Sequence, residues 1–165
     1  MASKGGFYNH FKSKEALFHA ALSQARQLWR ERNLEGVDDI EKPLQKLKKI
    51  LENYRDRYLT DQHNFPGGCI FVNLAVELND QAPALATEVN EGFTRLKKMI
   101  IRYLREAQAS GDISPRVDIE QLTEVIFAGL LGACVMYTSD KSTANLDYTI
   151  NALIYQLSHI SKEPL

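Results

Sequence analysis

The sequence predicts an all-α fold, and three observations carry the prediction. Apolar residues recur at helical spacing in three long stripes: Leu44, Leu47, Ile50, Leu51, Tyr54 and Tyr58; then Leu85, Val89, Phe93, Leu96, Ile100 and Leu104; then Leu146, Ile150, Leu153, Ile154, Leu157 and Ile160. No segment shows the sustained alternation of a half-buried strand, and no Asn-Gly or Asp-Gly hairpin turn occurs. The residues that break helices fall between the stripes.

About seven helices follow, over 3–10, 14–33, 41–60, 69–79, 83–109, 119–138 and 144–160. Ser13 can cap the second, because its hydroxyl accepts a bond from an unpaired amide of the first turn. Gly36 with Asp38 and Asp39 separates the second helix from the third, and Pro66-Gly67-Gly68 separates the third from the fourth. Pro83 fits the first turn of the fifth, where a missing N–H costs nothing, and Gly111 can end it in a left-handed cap. Asp118 with Gln121 resembles a capping box for the sixth, and Ser142 or Thr143 can cap the last.

A chain of 165 residues is long enough to bury a core, and 44% hydrophobic with 25% charged residues is the balance of a soluble globular domain. No apolar run approaches the ~18 residues of a membrane span, and the opening "MASKGGFYNHF" has no signal-type apolar stretch, so no membrane partner is expected. Cys69 and Cys134 lie far apart without metal spacing, which points to a reduced, cytoplasmic setting and to no bound metal. Residues 1–32 hold Lys4, Lys12, Lys14, Arg26, Arg30 and Arg32 against Glu15 and Glu31, a net of +4, so the rest carries −5 of the total −1. A basic end on an acidic body is what a protein offering one face to a polyanion needs; chance clustering on a solvated surface gives the same pattern.

The stretch "SKGGFYNHFKSKEALFHAAL", from Ser3, resembles the signature of the tetracycline-repressor family of bacterial transcription regulators. Its aromatic, Tyr, His, Phe, Lys and Leu are here Phe7, Tyr8, His10, Phe11, Lys14 and Leu17. The resemblance implies a helical bundle of that family's type in two parts. Residues 1–18 correspond to the reading helix of a helix-turn-helix and the start of the connecting helix, and 19–165 to a ligand-binding and dimerisation domain. Family members carry two further helices before the reading helix. Without them a short helix is marginal in water and lacks the partner that orients it in the groove, so the sequence as written reads as N-terminally truncated and is expected to bind DNA poorly.

For the DNA-binding role, the motif divides by chemistry. Phe7, Phe11, Leu17 and Phe18 suit packing of the reading helix. Ser3, Lys4, Tyr8, Asn9, His10 and Lys14 can donate to phosphates or base edges, and Gly5 and Gly6 permit close approach. The resemblance implies that Tyr8, His10 and Lys14 grip the backbone of operator DNA. Taken singly, His10 would be a helix-end histidine and the lysines solvated surface; the motif as a whole reverses that.

For the body, the resemblance implies a pocket for a small-molecule effector and a homodimer interface. "IFAGLLGACVM" is apolar around the whole helix, as expected where one side meets a partner subunit, or where a helix is central in a monomer. The expected interface comprises Gly129, Gly132, Ala133 and Met136 with Leu153 and Leu157. Tyr54, Tyr58, Phe71, Asn73, Phe93, Tyr103 and Phe127 mix apolar bulk with polar handles as small-molecule sites do, and of these Tyr58, Phe71, Phe93 and Phe127 are the candidate ligand contacts. Cys69, near a helix start, is either a thiolate sensor or an inert core residue.

His10, His19, His63 and His159 are scattered, with no metalloprotease, nucleophile-elbow or phosphate-loop motif. No enzyme and no cofactor are therefore expected. Two readings stand: a ligand-responsive regulator, acting as a repressor released from its operator, and a helical ligand-binding and dimerisation module without a DNA-binding role.

Overall fold

The computed structural model describes residues 11–78, 82–162 and 165, and these form six α-helices with no named strand. The predicted helix over 3–10 lies outside the described residues. The others occur where periodicity and capping place them: α1 (Lys14–Asn33), α2 (Pro43–Asn53), α3 (Ile70–Leu78), α4 (Pro83–Ala109), α5 (Ile119–Asp140) and α6 (Thr143–Ile160).

Ser13 caps α1 by accepting from the Ala16 amide at 3.0 Å, Asp118 caps α5 from Gln121 at 2.9 Å, and Ser142 caps α6 from Asn145 at 3.3 Å. Gly111 follows α4 at φ +81°, a conformation that costs glycine nothing. The amides of Asp112 and Ile113 return to the Ala107 carbonyl and finish the helix. Asp112 then anchors the other end of the chain, accepting from the Ser161 hydroxyl at 2.9 Å and from the Lys162 amide at 2.9 Å.

The third predicted helix divides in two. After Asn53 the chain widens into a π-helical segment, Tyr54–Leu59, which turns Tyr54, Tyr58 and Leu59 all into the core. Such a segment shifts the inward register by a fraction of a turn, which the spacing of apolar residues does not reveal. Asn53, also buried, donates from Nδ2 to the carbonyls of Asn33 at 3.0 Å and Glu35 at 2.9 Å. It thereby satisfies backbone acceptors at the end of α1 that would otherwise be buried without partners.

One continuous core joins α2, α4, α5 and α6, with Leu44, Leu47, Leu51, Leu104, Ile126, Leu130, Ile150 and Leu157 at its centre. By length and apolar content α5 could cross a membrane, contrary to the sequence expectation. Its apolar surplus is accounted for otherwise: Leu122, Ile126, Leu130, Ala133, Cys134 and Tyr137 are packed inside the bundle. α5 and α6 form a hairpin and meet closely, since a Cβ on Gly129 would lie 2.9 Å from the Leu153 side chain.

α1 is attached differently. Only Leu22, Ala25 and Asn33 of its twenty residues are buried. Much of its hold is polar: Arg26 donates to the Glu88 carboxylate at 3.0 Å and to the Glu88 carbonyl at 2.7 Å, His19 lies 2.8 Å from the same carboxylate, and Arg32 donates to Asp61 at 2.9 Å.

Asp61 also accepts from the Asn64 side chain and amide, and these bonds with the Arg32 contact hold its carboxyl down to about 2 against the opposing effect of burial. A depressed folded-state pKa stabilises the fold above the unfolded value of about 4 and loses that contribution as pH falls through the folded one. Acid titration from about pH 4 to pH 2 should therefore loosen the end of α1, and Asp61→Asn should remove this part of the acid dependence. Tryptophan fluorescence against pH in the two proteins measures it.

Candidate functional site

A cavity of about 250 Å³ lies between α1, the π-helical segment, the start of α3 and the middle of α4. α1 supplies Arg26, Trp29, Arg30 and Leu34; α4 supplies Gly92, Phe93, Arg95, Leu96 and Met99; Tyr54, Cys69 and Phe71 close it. The cavity explains a break in the α4 stripe: Val89 and Ile100 are buried, whereas Phe93 and Leu96 between them are only half-buried.

The walls are apolar and the entrance is cationic. Arg30 and Arg95 are exposed, while Arg26 is half-buried and held by Glu88. The Arg26 Nε is buried with no hydrogen-bond partner. A site of this make-up accepts a small, largely apolar molecule and offers guanidinium donors to one hydrogen-bond-accepting end.

Behind the cavity four polar side chains meet inside the core. The Tyr58 hydroxyl donates to Cys69 Sγ at 3.3 Å, and the Tyr54 hydroxyl lies 3.3 Å from Cys134 Sγ and 4.0 Å from Cys69 Sγ. Tyr54 thus stands between the two thiols, within 4.0 Å of both. Gly68 makes this meeting geometrically feasible: at φ +81°, with room for no side chain, it brings the loop so close to α5 that a Cβ would lie 2.2 Å from Thr138 Oγ1. Its neighbour Cys69 is thus pressed against Cys134, one turn before Thr138.

The environment separates the two thiols. The bond from Cys134 holds Cys69 down to about 6, helped by the Tyr58 hydroxyl and the amides of Val72 and Phe71, with burial opposing. Burial first, then the bond to and the charge of Cys69, pushes Cys134 up. Burial likewise raises both tyrosines, so each stays a protonated donor.

Of the candidate ligand contacts, Phe71 and Phe93 line the cavity. Tyr58 sits behind its wall against Cys69, and Phe127 supports Phe93 edge-on with ring centroids 5.7 Å apart. Tyr103 belongs to a separate cluster with Val37 and Ile50, and Asn73 donates to the Gly67 carbonyl outside the cavity. The α1 residues lie on a helix whose sequence reads as a connector. Leu22, Ala25 and Trp29 at helical spacing were the available signal.

Among the candidate DNA-binding residues, Ser3, Lys4, Gly6, Tyr8, Asn9 and His10 lie outside the described residues. Lys14 is exposed at the first turn of α1. The candidate interface divides. Gly132 and Met136 face outward on α5, whereas Ala133, Leu153 and Leu157 are buried and Gly129 faces Leu153 within the chain. Gly129 and Leu153 meet where α5 packs on α6, and Ala133 and Leu157 belong to the chain's own core. The outward face is instead Val125, Ala128, Gly132, Val135 and Met136 beside Tyr148, Ala152 and Tyr155, all exposed.

A family model described as the tetracyclin repressor-like C-terminal domain matches residues 43–153. The HTH-type transcriptional repressor DhaR of Mycobacterium sp. strain GP1 is 26% identical over 165 residues, covering 97% of this chain and 80% of DhaR. The crystal structure of a TetR transcriptional regulator from Chloroflexus aurantiacus J-10-FL superposes with a TM-score of 0.86 at 28% identity, over 97% of this chain and 80% of that one. The TetR-family regulator CifR, solved with double-stranded operator DNA, shares the fold with a TM-score of 0.78 at 20% identity, over 93% of this chain and 79% of its own.

Gly92 lines the cavity within α4, and a Cβ there would meet nothing within 4 Å. Gly92→Ala should raise stability by about 0.5–1 kcal/mol, because glycine is the costlier residue inside a helix. Urea unfolding followed by circular dichroism measures the change.

Proposed function

The chain belongs to the tetracycline-repressor family of transcription regulators, and we propose that it is a cytoplasmic, ligand-responsive repressor whose effector binds in the cavity beneath α1. Family membership makes it a regulator and not an enzyme. One observation carries the ligand-responsive part: the helix that begins at Lys14, next to the family's DNA-reading signature, also forms a wall of the cavity through Arg26, Trp29, Arg30 and Leu34.

The mechanism follows from that shared helix. A ligand in the cavity touches α1 on one side and α4 on the other. An accepting group on the ligand competes with Glu88 for Arg26 and thereby weakens the tie that holds α1 to α4. A ligand shifts the balance between two α1 positions only by its difference in affinity for them, and the direct contact with Trp29 and Arg26 supplies such a difference. In a dimer that shift changes the spacing of two reading helices, which must match half-sites about 34 Å apart.

The proposed homodimer uses the outward face of α5 and α6. Val135 is 53% exposed, Met136 50% and Tyr155 65%, so both helices carry apolar side chains on the outside. Exposed apolar side chains on two packed helices suit a two-fold interface. Val135→Glu should give a monomer by native mass spectrometry while leaving the circular dichroism spectrum intact.

Trp29 is the single tryptophan of the chain, so its fluorescence reports occupation of the cavity directly. An effector that changes Trp29 emission should also weaken the gel shift of DNA from upstream of the gene. Gly92→Leu, which fills the cavity from a position with free space, should abolish the fluorescence response and leave the gel shift insensitive to the effector. Effector binding with no change in DNA affinity would contradict the repressor mechanism. Effector binding by a dimer that shifts no DNA would support the helical ligand-binding module instead.

A further inference from the structure

Two cysteines, two tyrosines and a cavity wall come together here in a way that reversible ligand binding does not require. We infer that Cys69 is a covalent capture site for small α,β-unsaturated carbonyl compounds that enter the cavity, with Cys134 and Tyr58 as positioning residues that hold its sulfur as a nucleophile. The inference rests on the reading of the cavity as the ligand site and adds the chemical class that this site takes.

Four observations converge. Cys69 lines the cavity, whereas Cys134 is not among its lining residues. Cys69 Sγ accepts from the Tyr58 hydroxyl at 3.3 Å, has the Tyr54 hydroxyl at 4.0 Å, and sits just before the first turn of α3. Cys134 first, then Tyr58 and the amides of Val72 and Phe71, stabilise the thiolate, which is the reactive form, and hold Cys69 down to about 6 against burial, while Cys134 is pushed up. The surrounding Phe71, Phe93, Leu96 and Met99 suit the hydrocarbon part of the compound, and Arg26, Arg30 and Arg95 can donate to its carbonyl oxygen.

The step balances without an oxidant or a leaving group. The Cys69 thiolate attacks the β-carbon, a sulfur–carbon bond forms, and the electron pair of the carbon–carbon double bond moves toward the carbonyl oxygen. The enolate takes a proton from water at the α-carbon. The net change is addition of the thiol across the double bond, giving a thioether.

The probe is 2-cyclohexen-1-one, small enough for the cavity, incubated with the folded protein and read by intact mass and peptide mapping. The expected result is one adduct per chain, on Cys69 and not on Cys134, with both cysteines labelled once the chain is unfolded in urea. The rate should already level off above about pH 7, where an ordinary thiol is still rising toward its pKa of about 8.5. Tyr58→Phe should move that profile to higher pH, which a merely structural role for Tyr58 would not do. Mapping on the unaltered protein needs no substitution at Cys69, so a Cys69→Ser chain that fails to fold leaves the test intact.

Equal labelling of both cysteines, or no labelling of Cys69 in the folded protein, overturns the inference. A change in Trp29 emission with both thiols unmodified overturns it too, yet leaves the reversible ligand reading standing. Adduct formation on Cys69 without any effect on DNA affinity supports capture and tells against the repressor mechanism alone.

Discussion

The pairing of Arg26 with Glu88 holds α1 to the body at the point where the cavity opens, and the behaviour of the cavity follows from it. α1 buries too little to be fixed by hydrophobic packing, with Leu22 and Ala25 its only buried apolar residues. Partly exposed ion pairs contribute on the order of 1 kcal/mol each, so a helix held largely by them is attached more weakly than one fixed by core burial. α2, α4, α5 and α6 instead share the apolar core through several buried residues each. Arg26 belongs both to the tie and to the wall, and on this the proposed coupling of cavity occupation to α1 attachment rests.

The interior behind that wall works on the opposite principle. Tyr54, Tyr58, Cys69 and Cys134 are all buried, and each polar atom finds its partner among the other three. Burial by itself would raise both thiols, and it does raise Cys134. Donors gathered on one sulfur reverse the outcome for Cys69. The reversal depends on a backbone feature several bonds away: without the positive φ and missing side chain of Gly68, Thr138 would keep the loop off α5 and the two sulfurs apart.

Helix positions were legible because their causes are local. A capping hydroxyl such as that of Ser13 or Ser142 acts within its own first turn, and an apolar stripe repeats within four residues, so α1 and α4 begin and end where the pattern puts them. The π-helical segment was not legible, since its apolar spacing reads as continuous helix. Phe71 and Phe93 could be chosen as cavity residues from their chemistry, but Tyr58 and Phe127 share that chemistry and stand one layer behind. On α5, small residues marked close packing at both Gly129 and Gly132, yet Gly129 meets Leu153 of its own chain and Gly132 faces outward.

The sequence by itself determined the helices, their caps and the kinship carried by "FYNHFKSKEAL", because these depend on neighbours within a turn or two of chain. Only the tertiary structure decided that α1 walls a cavity, which face of α5 is left outside, and that Cys69 lies against Cys134. Those outcomes depend on how distant helices share one apolar core, and no local spacing encodes a contact made across it.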